Sequence, residues 1–101
     1  MAIVHPIRNN RVVWRDIAGE VVIAERDNST VRVLNKTASL IWTLADGTRQ
    51  TEDIVAEVCG RFEVPLEQAQ ADVDEFCRQL LEAGLISMKN GSQRASGGQN
   101  A

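Results

Sequence analysis

The feature that most restricts the fold of this 101-residue chain is a change of apolar period around Asn35. Thr30-Val31-Arg32-Val33-Leu34 alternates as a half-buried strand does. Directly after it, Leu40, Ile41 and Leu44 recur at helical spacing. Asn35 is suited to be the cap of that helix, because its side-chain oxygen can accept a hydrogen bond from a first-turn amide that has no helical partner. Asp46-Gly47 ends it. A strand therefore runs into a helix with no residues to spare for a loop. The chain before the joint reads as strands and the chain after it as helices.

Upstream, Val12-Val13-Trp14-Arg15-Asp16-Ile17 alternates imperfectly and stops at Ala18-Gly19, a turn signal. Glu20-Val21-Val22-Ile23-Ala24-Glu25 is a more continuously apolar strand, and Arg26-Asp27-Asn28-Ser29 is rich in turn formers. Three short strands with tight links predict an antiparallel meander. Downstream, the first helix covers 36–45 and the second begins after Thr51 as its cap, with Glu52 and Asp53 in the positive first turn. Gly60 is expected to stop that second helix in a left-handed conformation. The third starts at Pro65 and carries Ala69, Val73, Phe76, Cys77, Leu80 and Leu81 as a buried stripe. Gly84 follows its end, and Leu85 is placed to fold back on Leu80. The expected fold is α+β: a three-stranded antiparallel sheet followed by three helices, winged-helix-turn-helix-like. Residues 1–11 read as a flexible N-terminal arm, 12–88 as the domain and 89–101 as a disordered tail.

Composition removes several functions. No stretch approaches the roughly 20 apolar residues that span a bilayer, and the start of the chain lacks a secretory pattern. A cytoplasmic location without membrane contact is expected. Cys59 and Cys77 lie on predicted helices without metal-ligand spacing, and the single histidine, His5, is far from both. They read as buried, reduced thiols. There is no tyrosine, no phosphate-binding glycine loop and no metalloprotease or calcium-loop motif. Asp72, Asp74 and Glu75 are clustered, but Asp72 and Asp74 lie about 200° apart on a helix and do not converge. The expectation is a protein that is not an enzyme and needs no cofactor and no metal.

Charge then separates two binding functions. Residues 66–82 hold Glu67, Asp72, Asp74, Glu75 and Glu82 against Arg78 alone. A helix-turn-helix that reads DNA places its second helix in the major groove and neutralises phosphates with Lys and Arg. This helix would repel them, so no nucleic-acid partner is expected. A winged-helix DNA-binding transcription regulator remains the alternative, which a salt-dependent gel shift would separate. A module that binds other folded domains is a third.

Peptide binding suits the sequence better. A short meander displays unpaired backbone groups at its edges, and an extended peptide can add itself there as a further strand. If the third helix packs beside Thr30–Leu34, a groove forms with that strand on one wall and Val73, Phe76 and Leu80 on the other. The same three residues also suit burial against the first two helices, since a wide apolar stripe serves both purposes.

The order and spacing of Leu34-Asn35-x-Thr37-Ala38, Ile41-Trp42-x-Leu44, Asp46-Gly47, Ile54, Asp72-Val73-x-x-Phe76, Leu80 and Gly84-Leu85-Ile86 resemble the PqqD-like proteins, also called RiPP recognition elements. The resemblance runs from about Val12 to Ile86. It implies a three-stranded sheet with three helices that binds the leader segment of a ribosomally made precursor peptide as an added strand. Carried over by residue, the peptide-binding positions would be Thr30, Val31, Arg32, Val33 and Leu34 on the strand. On the third helix they would be Asp72, Val73, Phe76, Gln79 and Leu80. Asn35, Thr37, Trp42, Asp46 and Gly47 would be structural. The implied function is a peptide chaperone that presents a precursor to a maturation enzyme. That enzyme is a radical SAM protein in the making of pyrroloquinoline quinone (PQQ biosynthesis), or a leader peptidase or cyclase in lasso-peptide pathways. A monomer or weak homodimer is expected.

Overall fold

The computed structural model describes residues 4–24 and 30–90. Along the chain come β1 (Val4–Arg8), β2 (Val13–Ile17), β3 (Glu20–Ala24), β4 (Val31–Val33), α1 (Lys36–Leu44), α2 (Thr51–Phe62), α3 (Leu66–Glu82) and β5 (Ile86–Asn90). The expected meander is present as an antiparallel sheet in the order β2-β3-β4, and the three expected helices follow it. The turn formers at 26–29 and the tail from Gly91 lie outside the described residues.

Local chemistry explains most of these elements. Ala18 (φ 54°) and Gly19 (φ 89°) are both left-handed, as a two-residue hairpin whose twist matches its strands requires. The Gly19 N–H donates to Asp16 Oδ1 at 2.8 Å. Asn35 caps α1, its Oδ1 accepting from the Ala38 N–H at 2.8 Å. The cap of α2 is Gln50 and not Thr51, and the Asp53 carboxylate accepts the Gln50 N–H at 3.0 Å. Gly60 does not stop this helix. Val58 and Phe62 sit one turn apart on its inward side, so packing carries it to Phe62, and Glu63 takes the left-handed position (φ 53°). Pro65 is the cap of α3 and Leu66 its first residue. That helix closes as expected: the Leu85 N–H donates to the Leu80 carbonyl at 2.9 Å and the Gly84 N–H to that of Leu81 at 3.1 Å.

The core lies between the inner face of the sheet and the helices. Val21 and Ile23 project from β3 onto Ile41 and Trp42 of α1, and Ile54, Val55, Val58, Ala69, Val73, Cys77 and Leu80 fill the space below. Buried Ser39 ties the layers together. Its hydroxyl accepts the Val21 N–H at 2.8 Å and donates to the Leu34 carbonyl at 3.2 Å.

The N-terminal segment departs from expectation. Residues 4–8, read as part of a flexible arm, form β1, which pairs antiparallel with β5. Lys89 and Asn90, assigned to the tail, belong to β5. On its other side β1 meets the loop after α1: the Arg8 N–H donates to the Ala45 carbonyl at 2.9 Å and the Gly47 N–H to that of Pro6 at 3.0 Å. Pro6 breaks the strand signal in the sequence, yet it is harmless here. Its missing N–H faces the irregular loop and not β5. The Arg8 guanidinium donates to the carbonyls of Trp42 (2.8 Å) and Thr43 (2.9 Å) at the negative end of α1. It also lies 5.1 Å from the centroid of the Trp14 ring, which meets Trp42 edge-on at 5.9 Å.

Candidate functional site

Strand β4 is the outer strand of its sheet, and among the described residues it pairs with β3 alone. The register places Val22 opposite Val33, Ile23 opposite Arg32 and Ala24 opposite Val31, and the Leu34 N–H donates to the Val21 carbonyl at 2.9 Å. Backbone groups of alternate residues point to opposite sides of an antiparallel strand. Those of Leu34 and Arg32 therefore face β3, and those of Val31 and Val33 face away from the sheet. The side chains alternate about the other axis. Leu34 is buried and Arg32 half-buried on the inner face, while Val31 and Val33 are 60% and 63% exposed on the outer face. Val13 and Ile17 are likewise exposed there, with Arg15 between them, and an apolar strip runs from Val13 through Ala24 to Val31 at the open edge.

Where Asn35 turns the chain into α1, the strand opens onto a cleft of about 270 Å³ between α1 and α3. Asn35, Thr37, Ala38 and Ile41 line one side, and Asp72, Glu75, Phe76 and Gln79 the other. The spacing explains the lining, since residues three and four apart share one helix face. Phe76 is half-buried and adds an apolar surface, which the polar groups surround. The two carboxylates differ. Glu75 accepts from Arg78 at 2.6 Å and from Gln79 at 2.9 Å, and the Arg78 guanidinium holds its carboxyl below the ordinary range. Asp72 accepts only from the neutral amide of Gln68, at 2.8 Å, and among the described residues no cation reaches it.

The expected site residues divide accordingly. Thr30, Val31 and Val33 are exposed on or beside the edge strand, and Asp72, Phe76 and Gln79 line the cleft. Val73 and Leu80 do not reach it. Both are 0% exposed and belong to the core, which answers the question their stripe left open, and Leu34 is core as well. The strand does not form a wall of the cleft directly but leads into it through Asn35. Asn35 and Thr37, expected to be structural, and Ala38, Ile41 and Glu75 were not anticipated as lining residues, although Ala38 and Ile41 follow Asn35 in steps of three, Thr37 lies four before Ile41 and Glu75 three after Asp72.

Among the described residues no three His, Cys, Asp or Glu side chains gather as metal ligands, and no helix is long and apolar enough to cross a membrane. Cys77 is buried, which pushes its thiol up to about 11, a second and smaller cause being the nearby Asp74 charge.

The family model of coenzyme PQQ synthesis protein D (PqqD) matches residues 20–86. Among solved structures, TbiB1 in complex with the TbiA(beta) leader peptide superposes with a TM-score of 0.71 at 27% sequence identity, covering 80% of this chain and 94% of that one. No curated protein matches the chain in sequence.

Proposed function

This chain belongs to the PqqD family, and on that premise we propose that it is a non-catalytic adaptor binding the leader segment of a ribosomally made precursor peptide. The leader joins the sheet as a strand beside β4, and its continuation enters the cleft between α1 and α3. One observation carries this reading. The outward N–H and C=O groups of Val31 and Val33 are unpaired among the described residues and lead straight to a preformed cleft. Main-chain pairing supplies affinity in such a mode, and side-chain pockets supply selectivity. The solved neighbour, which holds a leader peptide, supports it further. The adaptor then passes the bound precursor to a maturation enzyme, a radical SAM protein or a leader peptidase, in the cytoplasm.

An amide-shift titration of the full chain tests the site, using as probe the TbiA(beta) leader peptide that the solved neighbour holds. The expected shifts fall on residues 30–35 and on Thr37, Ala38, Asp72, Phe76 and Gln79. Shifts confined to α2 or to β1 and β5 would refute the assignment.

A further inference from the structure

We propose that Asp72 selects leader peptides that carry a lysine or arginine at one fixed position, an odd number of residues from a pair of apolar side chains lying beside Val31 and Val33. The proposal rests on the reading of β4 as the docking edge.

A strand added to β4 must continue its alternation. Guest residues paired with Val31 and Val33 project onto the outer face, beside two exposed valines and an apolar surface extending to Val13. Apolar or β-branched side chains pair best there. The intervening guest residues project to the inner face, on the side of Arg32 and Leu34, and a guest strand that runs on past Leu34 carries that face toward the cleft, which begins at Asn35. No cation lines this cleft, whose two charges are both negative. Glu75 is already answered by Arg78, and both of its oxygens are engaged. Asp72 keeps one oxygen without a partner among the described residues, and its other oxygen receives a neutral donor. It is also half-buried beside Phe76, so a cation arriving there is partly shielded from water and binds more strongly than at an open surface. Inner and outer positions differ by an odd number of residues along any strand, which fixes the parity of the motif.

Selection of random peptides displayed on phage, with the full chain as bait, tests this without knowledge of the native precursor. The wild-type protein should enrich Lys or Arg in one column, at odd spacing from an apolar pair. Asp72→Asn should keep the apolar pair, lose the basic column and bind the wild-type winners on the order of tenfold more weakly. Asp72→Arg should replace that column with Asp or Glu. Glu67→Gln, exposed on the same helix but outside the cleft, should leave the pattern intact. The proposal is overturned if Asp72→Asn retains the basic column, if the spacing is even, or if Glu67→Gln erases the column equally, since net charge alone would then explain it. Failure of every version to enrich any peptide would overturn the strand-docking reading itself.

Discussion

Replacing Val33 by proline separates binding from folding. The Val33 N–H points away from β3, so the substitution removes no bond within the sheet. Its side chain is 63% exposed, so little burial is lost. Proline is tolerated on an edge strand when the missing N–H faces outward, and the expected loss of folding stability is below about 1 kcal/mol. Arg32 offers the contrast. Its backbone groups face Ile23, and Arg32→Pro both breaks the ladder and leaves a strand carbonyl unpaired, at about 1–3 kcal/mol. Binding should respond in the opposite sense. Val33→Pro deletes one intermolecular hydrogen bond, about 0.5–1.5 kcal/mol, and pushes the guest backbone off with its ring. Affinity should fall on the order of tenfold or more. Urea unfolding gives the first quantity and fluorescence anisotropy with a labelled leader, or with a phage-selected peptide, the second. A folded Val33→Pro protein that binds as the wild type does would refute strand addition. Equal stability of the two proline variants would refute the assignment of which amides face outward.

Ser39→Ala should cost about 1–3 kcal/mol, because the Val21 N–H and Leu34 carbonyl lose their buried partner. Unchanged hydrogen-exchange protection of the Val21 amide would count against that role. Gly47→Ala should destabilise by about 1–2 kcal/mol, since φ is +88° there and the new Cβ would lie 2.9 Å from Ile7 Cδ1. Urea midpoints check this, with faster exchange expected along β1. Cys77, whose thiol is raised from 9.0 to about 11, stays protonated in the folded chain while the unfolded chain ionises. Stability from this group is complete below 9.0 and is lost as pH climbs toward about 11, so wild-type stability should fall more steeply across that window than that of Cys77→Ala. Parallel slopes would contradict it. In the folded protein, thiol reagents should modify half-buried Cys59 before Cys77.

The parts of this fold that were legible in the sequence are those written by neighbouring residues. Asn35 with Ala38 sets the start of α1, and Gly84 with Leu85 sets the end of α3, within a turn of chain. Strand β1 was illegible because its partners are β5, at the far end of the chain, and a loop near its middle, while Pro6 masks its alternation. Gly60 misled because a local preference was outweighed by burial of Phe62 beyond it. At the candidate site, the edge strand and Phe76 were legible in the alternation and in the apolar stripe, whereas Asp72 and Gln79, which also line the cleft, were implied by the resemblance alone. Which residues of the α3 stripe turn inward could not, because that depends on where α1 and α2 press against it. The structure divides the stripe, with Val73 and Leu80 inside and Phe76 at the boundary.

Pairing of Val4 with Asn90 sets both ends of the described domain side by side, in a different sheet from β4. A domain built this way can be spliced into a surface loop of a host protein, or have its termini bridged and reopened elsewhere, without stretching any element. Either graft would leave the open edge of β4 untouched, so a donor of this kind is portable between hosts.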